Sequence, residues 1–199
     1  MSRASFRTPI PANFARRCKA FTMFGGMPDI VVFPNSTEEV SKIVKLCNRE
    51  KIPFVPRGSG TSLSGSSIAI QGGVMIVLSR MNRVLEVDLE NEIMVVQPGL
   101  VNKELTNQLA GTRYLYAPDP ASQIACTIGG NLAHNAGGPH CLKYGVTTDH
   151  VLGVEVVLSS GEIVNLGGKT LEHMIRSYQF DDRLRRDSRN CNESNRKNH

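Results

Sequence analysis

No stretch of this sequence stays apolar over the length of a bilayer span, so it carries no transmembrane segment. With 40% of its 199 residues hydrophobic, it has the composition of a globular chain able to bury a core, as one large domain or two small ones. It also lacks any CxxC pair. The five cysteines, Cys18, Cys47, Cys126, Cys141 and Cys191, are an odd number, which fits a reducing compartment and small packing residues better than a disulfide framework. Basic charge is missing where a polyanion binder needs it. The net charge of +5 comes from the two ends, whereas residues 21–170 hold eleven bases against thirteen acids. A nucleic-acid binder places its basic patch on the folded body, so no nucleic-acid partner is expected.

The ends read differently from the middle. Residues 1–20 contain five Arg and Lys and no acid, the composition of a mitochondrial transit peptide, but Pro9 and Pro11 interrupt the amphipathic helix such a peptide needs. A disordered basic lead is the expectation there. Residues 171–199 have few apolar positions and no period after Phe180, which reads as a disordered or aberrant tail. Between them, residues 29–34 make a short β-rich run stopped by Pro34. Ser36 and Glu39 then have capping-box spacing, and Val40, Ile43, Val44 and Cys47 fall on one helical face. With residues 52–55 as the next strand, this is a β-α-β unit whose strands should pair in parallel. Residues 74–78, 84–88 and 93–97 follow with only short polar spacers and read as an antiparallel meander. A modest helix over Val101, Leu105 and Leu109 comes next. Residues 117–145 have no period, and 151–158 with 163–166 form a hairpin across 159–162. Met75, Met81 and Met94 are expected as core fillers.

Two glycine-rich stretches stand out. PRGSGTSLSG, residues 56–65, has Gly60 and Gly65 at the separation of a nucleotide P-loop, but Ser66 stands where the lysine belongs, and the dinucleotide fingerprint G-x-G-x-x-G is not met either. What remains is a choice between a surface turn of small polar residues and a nest. In a nest, glycines let successive backbone N–H groups converge on an anion, and Ser59, Thr61, Ser62 and Ser64 add hydroxyls. The second stretch, YAPDPASQIACTIGGNLAHNAGGPHCLKYG, residues 116–145, allows close backbone approach at Gly129–Gly130 and again at Gly137–Gly138, with Asn131 and Asn135 between. Alone, it reads equally as a glycine-rich surface loop.

Together, and with DIVVFPNSTEEVSKIVKLCNREKIPFV ahead of the first, the two stretches resemble the FAD-binding module of the FAD-linked oxidases of the vanillyl-alcohol-oxidase/PCMH superfamily, over residues 21–170. Within it, the likeness is to the flavin-carrying subunit of glycolate oxidase and to the D-lactate dehydrogenases. The resemblance implies an α+β fold, a PCMH-type domain in which a small parallel β-α-β subdomain packs on a larger, mainly antiparallel sheet with non-covalent FAD between them. It places Arg57, Gly58, Ser59, Gly60, Thr61 and Ser62 around the FAD diphosphate. Pro118, Asp119, Ser122, Thr127, Ile128, Gly129, Gly130, Asn131, Asn135, Gly137, Gly138, Tyr144 and Gly145 fall on the second cofactor segment. His134 and His140 are expected as loop hydrogen-bonders rather than metal ligands or flavin attachment points, and no metal site and no catalytic residue is assigned.

The family pattern continues past Gly168 into a GSEGTLG-like segment and a cap domain, neither of which follows here, so the resemblance leads to the expectation of a truncated or frame-shifted product that is inactive alone. The implied function is that of an FAD-binding fragment of an enzyme oxidising a 2-hydroxy acid, glycolate or D-lactate, by hydride transfer to flavin. The alternative is a non-catalytic flavin-binding or electron-transfer module acting with separately encoded subunits. An iron–sulfur electron-acceptor subunit is the implied partner. The implied location is the cytoplasm, at the membrane periphery through partner subunits, or the mitochondrion in a eukaryote.

Overall fold

The computed structural model describes residues 25–168; the lead expected over 1–20 and the tail expected over 171–199 lie outside the described residues. Strand β1 (Ile30–Val32), helix α1 (Thr37–Arg49) and strand β2 (Phe54–Arg57) make the β-α-β unit read from the sequence. The helix starts at its signal. Ser36 is extended, and its hydroxyl accepts the N–H of Glu39 at 3.3 Å. Glu39 reaches back to the N–H of Asn35 at 2.8 Å, one residue beyond the reciprocal bond of a capping box.

β1 and β2 run parallel but are not neighbours. Between them lies β3 (Val74–Val77), with Val74 opposite Ile30 on one side and Phe54 on the other, both in parallel register. This corrects two readings: the strands of the β-α-β unit do not pair with each other, and residues 74–78 are not the first strand of an antiparallel meander. A strand paired on both edges and covered on both faces is apolar throughout, and β3 is buried at all four positions. Its alternation sorts two cores. Val74 and Ile76 meet Val32, Val44 and Cys47 under α1, with Val40 and Ile43 packed alongside. Met75 and Val77 meet Ala69 on the opposite face, with Val31 and Val55 at the margin.

The rest of the expected meander forms as a single pair, β4 (Val84–Asp88) with β5 (Ile93–Val96), antiparallel and bulged between Val84 and Glu86. Helix α2 (Asn102–Gln108) buries Leu105, with Leu109 just beyond it, as its apolar spacing predicts. The aperiodic region holds two short helices, α3 (Ile128–Ala133) and α4 (Cys141–Tyr144). The closing hairpin, β6 (Gly153–Val157) and β7 (Ile163–Gly167), is antiparallel as expected. It docks on α1, where the Ser41 hydroxyl donates to the Gly161 carbonyl, the Asn48 amide donates to the Ser159 carbonyl, and Val157 joins the helix-side core. The class is α+β, and among the described residues the antiparallel part is two ribbons rather than one larger sheet.

Met75 is 0% exposed at the centre of the parallel sheet, so Met75→Ala should cost about 2–5 kcal/mol. Leu85, 58% exposed on β4, should tolerate alanine within about 0.5 kcal/mol. Urea unfolding of both variants checks this, and equal losses would contradict the central position of β3.

Candidate functional site

The chain leaves β2 at Arg57 beside the central strand, at the carboxyl end of a parallel sheet where a ligand crevice forms. Gly60 and Gly65 turn the backbone with φ of 75° and 76°, values that L side chains rarely adopt. Arg57 is 7% exposed and folds under this turn, donating from Nη1 to the Ser67 carbonyl at 3.3 Å. A Cβ added at Gly60 would stand 2.1 Å from its Nη2, so the turn sits directly on the guanidinium. Among the described residues, none of the backbone N–H groups of residues 58–63 has a hydrogen-bond partner. Open amides above a buried cation are a nest for an anion. The hydroxyls divide into two sets. Ser59 and Thr61 are exposed, while Ser62 Oγ is held inside the loop, accepting the N–H of Ser64 at 3.2 Å and paired with Ser64 Oγ at 2.8 Å.

The second segment is anchored by the chain around α2. Residues 126–129 lie beside 98–102. Asn102 donates its N–H to the Cys126 carbonyl, Ile128 to Leu100 and Gly129 to Pro98, at 2.9, 2.9 and 2.8 Å. The amides of Ile128 and Gly129 are therefore spent on the fold. Gly129 permits that approach, since a Cβ there would be 2.8 Å from Pro98 Cβ. Pro118 is fully buried, and its carbonyl accepts from Asn102 Nδ2 at 3.1 Å. Asp119 faces His140 Nδ1 at 2.7 Å, accepts the His140 backbone N–H at 3.3 Å, and leaves no room for a Cβ on Gly138. The Ser122 carbonyl closes a turn by accepting from Ala125 and Cys126.

Beyond α3, the structure uses several candidates as scaffold. Asn135 has a positive φ of 47°, and its Oδ1 accepts both the N–H and the hydroxyl of Thr148, at 3.0 and 2.9 Å. Thr147, 0% exposed, donates N–H and hydroxyl to the Ala136 carbonyl at 3.0 and 2.6 Å. Burial pushes the Tyr116 phenol above its ordinary value, while a hydrogen bond with Thr147 pulls the other way. Gly137 lies against Cys141, Gly145 turns at φ 87° beside Asp149, and Tyr144 is exposed with the Lys143 ammonium 4.8 Å from its ring centroid. Asn102 and Thr147 escape a reading of the sequence because an isolated side chain bonded to a carbonyl has no period.

The two segments meet at both ends of the first loop. A Cβ on Gly58 would lie 2.2 Å from Thr127 Oγ1, and Ser66 Oγ is 2.8 Å from His134 Nε2. Gly130 adjoins Thr127, and Asn131 is 3% exposed with its Nδ2 lacking any partner. An open nest over Arg57 fits a diphosphate, and an unpaired amide in the neighbouring segment fits a polar cofactor atom. Among the described residues, no group of His, Cys, Asp and Glu could hold a metal ion.

Overpacking makes the Gly58–Thr127 contact testable. Gly58→Ala should destabilise by about 1–3 kcal/mol. Because only Thr127 Oγ1 comes closer than 3.4 Å, Gly58→Ala with Thr127→Ala should recover most of the loss in urea unfolding, and strict additivity would contradict the contact.

Residues 28–167 match the family described as FAD binding domain. The chain is 43% identical over 150 residues to the glycolate oxidase subunit GlcD of Bacillus subtilis, covering 75% of this chain and 32% of that protein. It is 41% identical over 155 residues to GlcD of Escherichia coli, covering 78% and 31%. To a D-lactate dehydrogenase of Anaerostipes hadrus it is 47% identical over 140 residues, covering 70% and 29%. The chain thus spans about a third of the length of these relatives. Among solved structures, an alkyldihydroxyacetonephosphate synthase superposes with a TM-score of 0.64 at 32% identity, over 75% of this chain and 28% of that one. A carbohydrate oxidase from Microdochium nivale reaches 0.69 at 22% identity, over 84% and 36%, and shows the fold alone. With its parallel sheet, its amide nest and this kinship, the chain belongs to the FAD binding domain family of FAD-linked oxidoreductases, with FAD as its cofactor.

Proposed function

We propose that this chain is the flavin-holding part of an oxidoreductase that oxidises a 2-hydroxy acid, glycolate or D-lactate. The observation that carries the reading is the nest of unpartnered amides at residues 58–63, set over Arg57 and against Thr127. Arg57 offsets the diphosphate charge from below, and the amides of Gly58, Ser59, Gly60, Thr61 and Ser62 receive its oxygens. The segment carrying Pro118, Asp119, Ser122, Thr127, Ile128, Gly129, Gly130, Asn131, Asn135, Gly137, Gly138, Tyr144 and Gly145 runs along the remainder of the cofactor. Within it, Asn131 Nδ2 is a free donor, while Asn135, Gly138 and Gly145 shape the backbone. Attachment is non-covalent. His134 is engaged by Ser66, His140 by Asp119, and Cys126 is buried.

Bound FAD supplies the acceptor for the α-hydrogen of the acid. The chain's own residues hold and orient that acceptor, whereas fixing the substrate carboxylate and taking its hydroxyl proton need a cation and a base that no described residue is assigned to supply. An iron–sulfur electron-acceptor subunit is the proposed partner, in keeping with relatives named as subunits of glycolate oxidase. No helix of the described residues is long and apolar enough to cross a membrane, and the proposed location is the cytoplasm, with any membrane association through partner subunits.

Titration with FAD should quench flavin fluorescence saturably, with ADP competing. Gly60→Val should weaken binding at least about tenfold, because valine resists a positive φ and would collide with Arg57. Absence of FAD binding, or a Gly60→Val variant that binds equally, would overturn the reading. The FAD-loaded chain should keep its flavin absorbance when glycolate or D-lactate is added without air. Bleaching by either acid would place the base and cation within this chain, and bleaching by a sugar but neither acid would sink the 2-hydroxy-acid assignment.

A further inference from the structure

We propose that His134 is a positioning residue that clamps the diphosphate loop, through Ser66, onto the far end of helix α3; the inference rests on the reading of residues 58–63 as the diphosphate cradle. The loop is held by one short helix at two points. Thr127, the N-cap of α3, abuts Gly58 where the loop begins, and His134, the residue that ends α3, bonds Ser66 where the loop's nest is complete. The seven residue steps from Thr127 to His134 rise by about 10 Å. The nest is therefore stapled along the length of α3 rather than hinged at one end.

The clamp reaches into the nest itself. Ser66 Oγ donates to Ser62 Oγ at 3.5 Å, and Ser62 Oγ receives the Ser64 N–H. A serine hydroxyl has one proton. When Ser66 gives it to Ser62, the His134 ring must donate from Nε2, so the bonds His134 to Ser66 to Ser62 all run in one direction. One end of this relay is fixed to the fold and the other lies in the nest. His134 is seated on α3 by its backbone N–H to the Gly130 carbonyl, and Ser62 is the last but one of the residues with open amides. Residues 58–63 make no backbone bonds of their own, so this pair of pins, with Arg57 beneath the turn and the Ser62–Ser64 bonds, restrains the loop before a diphosphate arrives. A cradle ordered in advance does not lose that freedom on binding, which improves affinity without a new contact to the ligand.

The test uses the 199-residue protein with His134→Ala, Ser66→Ala, both together, and His134→Gln, whose amide can still meet Ser66. Two readouts are taken. Backbone amide order parameters for residues 59–64 in ligand-free protein should fall from about 0.85 toward about 0.6 in either alanine variant and return in His134→Gln. The dissociation constant for FAD, read by fluorescence, should rise about fivefold in each single variant, no further in the double, and stay near wild type in His134→Gln. Unchanged order parameters in His134→Ala, or losses that add in the double variant, overturn the clamp. If the wild-type chain binds no FAD while the order parameters still fall, the clamp stands and the diphosphate reading fails.

Discussion

The approach of Gly58 to Thr127 is the constraint on which the site depends. These residues belong to different halves of the chain, and they come together only because glycine presents nothing larger than hydrogen where Thr127 Oγ1 sits. Each side is positioned by its own scaffold. Gly58 follows β2, whose register against β3 is set by Phe54 opposite Val74 and Arg57 opposite Val77. Thr127 is placed by the backbone bonds that lay 126–129 beside 98–102. If either scaffold shifted, the loop would remain but would no longer face a second wall.

Burial makes the first scaffold stiff. β3 is covered on one face by α1 and on the other by Ala69 and its neighbours, and β1 and β2 occupy both of its edges, so a slip in register would expose buried side chains. The β6–β7 hairpin bears on α1 through Ser41 and Asn48. Arg57 contributes at the junction. A guanidinium beneath the turn is costly to bury unless it is paired, and a diphosphate held by the amides above would place negative charge on its other side.

Much of this is legible from residues alone, for identifiable reasons. The cap at Ser36, the helical face of Val40, Ile43, Val44 and Cys47, and the last hairpin depend on neighbours close in sequence, which pattern reading captures. Pattern misplaces β3 because a central parallel strand has no polar alternation to distinguish it from the strands after it. In the site, the glycine loops are recognisable from their glycines, but the division of labour within them is not. Ile128 and Gly129 spend their amides on the fold, Asn135 ties down a turn, and the Ser66–His134 bond joins two loops through side chains that suggest nothing singly. Such pairings follow from tertiary placement, which no local period records.

If the open amides of residues 58–63 cradle a diphosphate beside Thr127, a ligand carrying only that group should find them. The most direct measurement is a nitrogen–proton correlation spectrum of the labelled chain titrated with ADP, which carries the diphosphate without the flavin. The amide protons of residues 58–63 should move downfield together with saturation, accompanied by Thr127. Saturation with shifts confined to other residues, and those amides unmoved, would contradict it.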